Sequence, residues 1–155
     1  MAAAAWLREN APDLRVRVVN VVDLMALRPR DKHPHRMSDE RFSALFTENA
    51  PVIFAFHGYP GAIRQLVHGR SNPGRFHVRG YVEEGTTTTP FDMVVLTGMS
   101  RFHLAMGALN HCSRRPRQTT GLLAACEEAL THHRQYIREH LEDMPEIRDW
   151  TWPGL

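Results

Sequence analysis

The sequence predicts an α/β domain built on a mostly parallel sheet, and three observations carry that prediction. Residues 51–56, Pro-Val-Ile-Phe-Ala-Phe, form an apolar run with no polar residue to turn towards water, the pattern of a strand covered on both faces. The run stops at His57-Gly58-Tyr59-Pro60-Gly61, a glycine turn that leads into a helical pattern. Strand-like and helix-like stretches alternate on either side of it, which implies parallel pairing through crossover connections. In such folds the turn after a buried strand lies at the carboxyl edge of the sheet, where ligands and partners meet it.

Taken in order, residues 2–10 read as a short helix, because alanines lose no side-chain entropy there and Trp6 and Leu7 give it something to bury. It has no capping residue, and a helix that starts so abruptly suggests a truncated domain. Residues 14–22 read as the first strand: Val16 and Val18 alternate with Arg15 and Arg17, and the valines then thicken into a buried run. Asp23 can cap a short helix over 24–27, and Ser38 can cap another whose apolar face is Phe42, Leu45 and Phe46. Residues 28–37, with two prolines and several charges, form a surface loop between them. After the central strand, 62–68 is helical with Ile63, Leu66 and Val67 towards the sheet, and 71–74 is a turn.

The next strand is 76–82, with Phe76, Val78, Gly80 and Val82 on one face and His77, Arg79 and Tyr81 on the other. Gly80 in such a strand marks a bulge or a close backbone approach. Residues 83–85 turn, and Thr86 to Thr89 are extended, giving three strands or four. Thr89-Pro90-Phe91-Asp92 reads as a helix start and Gly98 as its end. Ser100 caps a helix over 101–112, and a basic connector, 113–118, leads to the longest helix, 120–142. Leu122, Cys126, Leu130, His133, Ile137 and Leu141 form one face of that helix, and Pro145 ends it. Trp150 and Trp152 in the tail dock back on the domain.

With 155 residues, 43% apolar and 23% charged, the chain has the makings of one globular domain. A formal charge of +2 is too small to argue for nucleic acid. No apolar run approaches the roughly 18 residues of a membrane span, and the N-terminus lacks the pattern of a signal peptide. Cys112 and Cys126 have no metal or redox spacing, so a reduced cytoplasmic setting is the simplest.

Little in the chain is self-sufficient chemistry. Of ten histidines, His33 and His35 flank a proline and His132 and His133 are adjacent on a helix, without the spacing of a helical metal pair. His57 is either a hydrogen-bonding group at a site edge or a structural histidine that ties down its turn. Arg79 with the threonine block can bind an anion, although threonine runs are also good strand formers. There is no nucleophile elbow, dinucleotide fingerprint or phosphate-binding lysine loop. A binding or assembly module fits these residues as well as an enzyme does.

Several stretches carry a resemblance. RVVNVVDLM, HPHRMSDERFSALFT, PVIFAFHGYP, FHVRGYVEEGTTTTPFDMVVL, RFHLAM and the final DWTWP closely resemble the C-terminal domain of the xylulose 5-phosphate/fructose 6-phosphate phosphoketolases. The resemblance implies a three-layer domain of the transketolase C-terminal type, truncated at its N-terminus and lacking its first strand, across residues 1–155. It implies a thiamine-diphosphate- and Mg²⁺-dependent aldehyde-lyase that cleaves a ketose phosphate with phosphate to acetyl phosphate and an aldose phosphate. The family's catalytic, cofactor and metal residues lie upstream, so none is carried onto this chain, which is expected to bind no cofactor and to be inactive alone. Its expected partners are the upstream domains or subunit, and a second copy in a homo-oligomer; nucleic acid and membrane are not among them. The candidate interface or anion-binding residues are His57, Tyr59, Arg79, Tyr81, Thr86, Thr87 and Asp92. The alternative is a free-standing regulatory or ligand-binding module that kept the fold.

Overall fold

A computed structural model describes residues 1–29, 33–83 and 85–153; Glu84 of the expected 83–85 turn and part of the 28–37 loop lie outside them. The elements are α1 (Ala2–Asn10), α2 (Asp39–Phe46), β1 (Val52–Phe56), α3 (Pro60–Val67), β2 (Phe76–Gly80), α4 (Pro90–Leu96), α5 (Arg101–His111), α6 (Thr119–His140) and α7 (Pro145–Arg148), with 3-10 turns at Leu24–Leu27 and Pro73–Arg75. The protein is α/β with a small parallel sheet. It falls into two compact units, one of Arg17–Tyr81 and one of Met1–Val16 with Val82–Leu155.

In the Arg17–Tyr81 unit, β1 and β2 pair in parallel, with Val52 opposite Phe76 and Phe56 opposite Gly80. Leu27, Phe42, Phe46, Ile63 and Val67 pack with Phe54, Phe76 and Val78 as its core, and Val52 and Phe56 join the margin. The opposite face carries Ile53, Ala55, His77 and Arg79, of which Ala55 and Arg79 are exposed. The strand expected to be covered on both faces is therefore covered on one. Composition alone could not distinguish the two, because Ile53 and Ala55 are apolar wherever they point.

The expected first strand, 14–22, joins no ladder; among the described residues two strands form where three or four were expected. Its apolar residues serve two different cores. Leu14 and Val16 pack in one cluster and Val19 and Val21 in the other, while Val18 is 42% and Val22 90% exposed. The alternation that suggested a strand thus reflects side-chain packing without backbone pairing. Arg17 from this stretch donates through Nη1 to the carbonyls of Ala44 and Leu45 at 2.8 Å, covering acceptors that the end of α2 leaves open.

Two buried arginines hold the turns of this unit. Arg70 Nε donates to Leu27 O at 2.9 Å, and its Nη2 to the carbonyls of Ala26, Arg28 and Met37 at 3.2, 2.8 and 2.8 Å. Its Nη1 reaches Asp39 Oδ1 at 2.7 Å, and its guanidinium carbon lies 4.3 Å from the Phe42 ring centre. Arg75 donates to the carbonyls of Phe46, Ala50 and Thr47, each at 2.8 Å. That grip fixes Thr47 at φ 60° and ψ −174°, a backbone region that a β-branched residue avoids.

In the other unit, α1, α5 and α6 bury Leu7, Ala11, Ala105, Leu109 and Cys126 together. Ser100 caps α5 as expected, accepting from the His103 amide at 3.4 Å. Helix α6 ends earlier than expected, at His140. Leu141 turns left-handed at φ 58° and stands 80% exposed instead of continuing the apolar face. Pro145 opens α7 rather than closing α6. The tail tryptophans do dock: Trp150 and Trp152 are half-buried and meet edge-on at 6.2 Å. No helix among the described residues is long and apolar enough to cross a membrane.

Candidate functional site

Parallel pairing brings the carboxyl ends of β1 and β2 side by side, and the pairing runs one step past both strands. The Tyr81 amide donates to Gly58 O at 2.9 Å, while the Gly58 amide turns back to Phe56 O at 2.8 Å. Glycine is required at position 80, because a Cβ there would lie 2.3 Å from Gly58 O and 3.0 Å from the Pro60 ring. This is the close backbone approach that the sequence signalled. It sets Tyr59 and Tyr81 edge-on, ring centres 5.7 Å apart at 81°. Tyr59 is 58% exposed. His57, just past β1, and Arg79, opposite Ala55, are exposed as well. Four of the seven predicted residues therefore share one sheet edge. It presents two aromatic rings, an imidazole and a guanidinium, residue types suited to anchoring a partner surface.

The other three belong to the other unit. Thr86 and Thr87 are exposed in the stretch before α4 and join no ladder. Asp92 lies in the first turn of α4, where its amide donates to Thr89 Oγ1 at 3.3 Å. Thr89 Oγ1 in turn donates to Asp143 Oδ1, and Asp143 Oδ2 accepts from the Phe91 amide at 3.1 Å. Two side chains thereby satisfy the open donors at the start of α4. The Asp92 side chain, 13% exposed, faces α6, where Oδ1 lies 2.8 Å from His133 Nε2. His133 is fully buried, edge-on to the Phe91 ring at 5.1 Å, with Nδ1 left without a partner. Facing a carboxylate oxygen, Nε2 is the nitrogen that donates in this pair.

Sequence reasoning missed both buried arginines and a third, Arg101, at the start of α5. Its guanidinium lies between the rings of Phe91 and Trp150, and burial holds it below the usual arginine range, partly offset by Glu146. A cleft of about 340 Å³ in the Arg17–Tyr81 unit is walled by Asp39, Ser43, Glu48, Ser71 and the two buried arginines. Most of those arginines' donors already serve backbone carbonyls, so the cleft presents no ready cationic floor. Burial pushes the Cys126 thiol up to about 11, the behaviour of an inert core cysteine rather than a nucleophile.

The family model of the XFP C-terminal domain matches residues 1–152. The chain belongs to that family. This XFP C-terminal domain is 53% identical over 154 residues to a probable phosphoketolase of Bradyrhizobium diazoefficiens, covering 99% of this chain and 19% of that protein. It is 55% identical over 152 residues to one of Brucella abortus, covering 98% and 19%, and 51% identical over 153 residues to one of Gloeobacter violaceus, covering 99% and 19%. The chain thus spans about a fifth of the length of the curated relatives it matches. Thiamine diphosphate, implied by the family, is gripped through a divalent metal held by oxygen ligands. Among the described residues of this XFP C-terminal domain, no three His, Cys, Asp or Glu side chains group to hold a metal.

Proposed function

We propose that this chain works as the C-terminal domain of a phosphoketolase in the cytoplasm. The full enzyme would cleave xylulose 5-phosphate or fructose 6-phosphate with phosphate to acetyl phosphate and an aldose phosphate. The observation that carries this reading is 51–55% identity, over 98–99% of the chain, to proteins named phosphoketolase of which it covers only 19%. In this reading the thiamine diphosphate chemistry belongs to the other four-fifths, and the domain contributes packing and subunit contacts in a homo-oligomer. Its surface supports that role. His57, Tyr59, Arg79 and Tyr81 offer a mixed aromatic and polar edge, and Val22, 90% exposed, and Val82, 49% exposed, await cover. Thr86 and Thr87 are exposed hydroxyls of the other unit, and Asp92, in the first turn of α4, pairs with His133.

The test supplies the purified chain with thiamine diphosphate, Mg²⁺, fructose 6-phosphate and phosphate, alone and then with the preceding four-fifths of the Bradyrhizobium diazoefficiens relative as a separate polypeptide. Acetyl phosphate is expected only from the mixture. Turnover by the chain alone overturns the reading. So does failure to associate with that polypeptide, and nucleotide or organic-acid binding by the chain alone would then favour a regulatory module.

A further inference from the structure

Phe91, Arg101, Trp150, Trp152 and Arg8 form a ladder of rings and cations within one compact unit. The Arg101 guanidinium carbon lies 5.8 Å from the Phe91 ring centre and 5.0 Å from that of Trp150. Trp150 meets Trp152 at 6.2 Å, and the Arg8 guanidinium carbon lies 5.7 Å from the Trp152 ring centre. Aromatic faces attract a guanidinium and fix its plane, but they offer no acceptor to the N–H groups along its rim.

Those rims are unanswered. Neither Arg101 nor Arg8 makes a hydrogen bond or ion pair with a described residue, and Arg101 Nε is shut off from water without a partner. Glu146 acts on Arg101 electrostatically without reaching ion-pair distance. The contrast with Arg70 and Arg75 is direct, since both of those direct most of their donors at carbonyls. A charged donor group that is half-buried, held rigid and left without an acceptor calls for an anionic one.

We infer that this ladder receives a carboxylate side chain from the remaining four-fifths of the phosphoketolase, Arg101 taking the carboxylate in the plane of its guanidinium. The inference rests on the reading proposed above. Charge complementarity supports it, because neither cation has an acid at ion-pair distance among the described residues. Residue type supports it too, because tryptophan and arginine are the commonest anchors of protein interfaces. The relatives supply the source: about four-fifths of their length lies outside this domain.

The experiment measures the dissociation constant between this chain and the preceding four-fifths of the Bradyrhizobium diazoefficiens relative, at several salt concentrations. Arg101→Met keeps the stem between the rings and removes the fork. It is expected to weaken association roughly 30-fold or more and to flatten the salt dependence. Arg101→Lys keeps the charge without the planar fork and should recover only part of the loss. Arg8→Met, at the exposed end of the ladder, provides a second variant should Arg101→Met unfold, and should weaken association several-fold. Arg114→Met, on the exposed basic connector, makes the same change of net charge and should have little effect. Association equal in wild type and both ladder variants overturns this inference alone. Equal loss in Arg114→Met overturns it too, since net charge would then be the cause. Failure of the wild-type chain to associate overturns it together with the proposed function.

Discussion

Replacing Arg70 by methionine tests what holds the Arg17–Tyr81 unit together. The Arg70 side chain is 1% exposed and donates to four backbone carbonyls as well as to Asp39. Methionine fills much the same space against Phe42 and takes the donor from Asp39 and from the carbonyls of Leu27, Arg28 and Met37, while Ala26 O keeps the Met37 amide at 3.0 Å. The acceptors are not equal. Asp39 is 62% exposed, so water can take over its carboxylate, and the ion pair itself contributes under about 1 kcal/mol. The carbonyls cluster around a buried point, and each one left orphaned costs about 1–3 kcal/mol. With water recovering the outer ones, Arg70→Met should lose roughly 3–5 kcal/mol, a large part of a typical domain margin of about 5–15 kcal/mol. Asp39→Asn should lose less than about 1 kcal/mol. Urea unfolding followed by circular dichroism gives both numbers. A cost for Asp39→Asn as large as that for Arg70→Met would show that the ion pair rather than the carbonyl cage matters. A cost for Arg70→Met under about 1 kcal/mol would show that the cage contributes little.

Three further outcomes follow from local geometry. Gly80→Ala drives a methyl group against the Gly58 carbonyl, a backbone atom with nowhere to move, and should cost about 2–3 kcal/mol by thermal melting; a loss under about 0.5 kcal/mol contradicts the close approach. Leu141→Gly relieves a left-handed, 80% exposed leucine and should raise stability by about 0.5–1 kcal/mol in the same melt. The buried Cys126 thiol, raised to about 11 from an ordinary 9.0, keeps its proton in the folded chain while the unfolded chain loses it. Stability from this group is therefore complete below about pH 9 and falls by about 2 kcal/mol as pH rises towards 11; Cys126→Ala should lack that part of the alkaline slope.

What the sequence made legible was local. Asp23, Ser38 and Ser100 all cap as read, and the helix start read at Thr89 is capped by Thr89 itself, because a cap is formed by a side chain and an amide two or three residues away. Gly80 was legible for a similar reason, since few other causes put glycine inside a strand. The arginine cages were not. Arg70 meets Leu27 across 43 residues and Arg75 meets Phe46 across 29, and a backbone carbonyl has no letter of its own in the sequence. Residues 14–22 misled because valine alternation marks a residue that packs, whether or not its backbone finds a partner. Four of the seven candidate residues proved neighbours because they bracket two parallel strands. Asp92 found His133, 41 residues away, and the available clue was a histidine on the apolar face of α6, which needs a polar partner if it is buried. Arg101 opens the helix after Ser100, where it reads as an ordinary solvated residue until the tail tryptophans fold over it.

The division of the chain into Arg17–Tyr81 and the two segments that flank it in sequence, Met1–Val16 and Val82–Leu155, also dictates an order of events during synthesis. Leu7 and Ala11 are buried against Ala105, Leu109 and Cys126, which emerge from the ribosome roughly 95–120 residues later. At about 5–20 residues per second that is an interval of roughly 5–20 seconds. A helix as short as α1 does not hold alone in water for that time. The Arg17–Tyr81 unit has no such wait, since every residue of its core and both of its caged arginines have already emerged once β2 is made. The middle of the chain therefore acts as the first folded body, and the two ends close into the second only when α6 arrives.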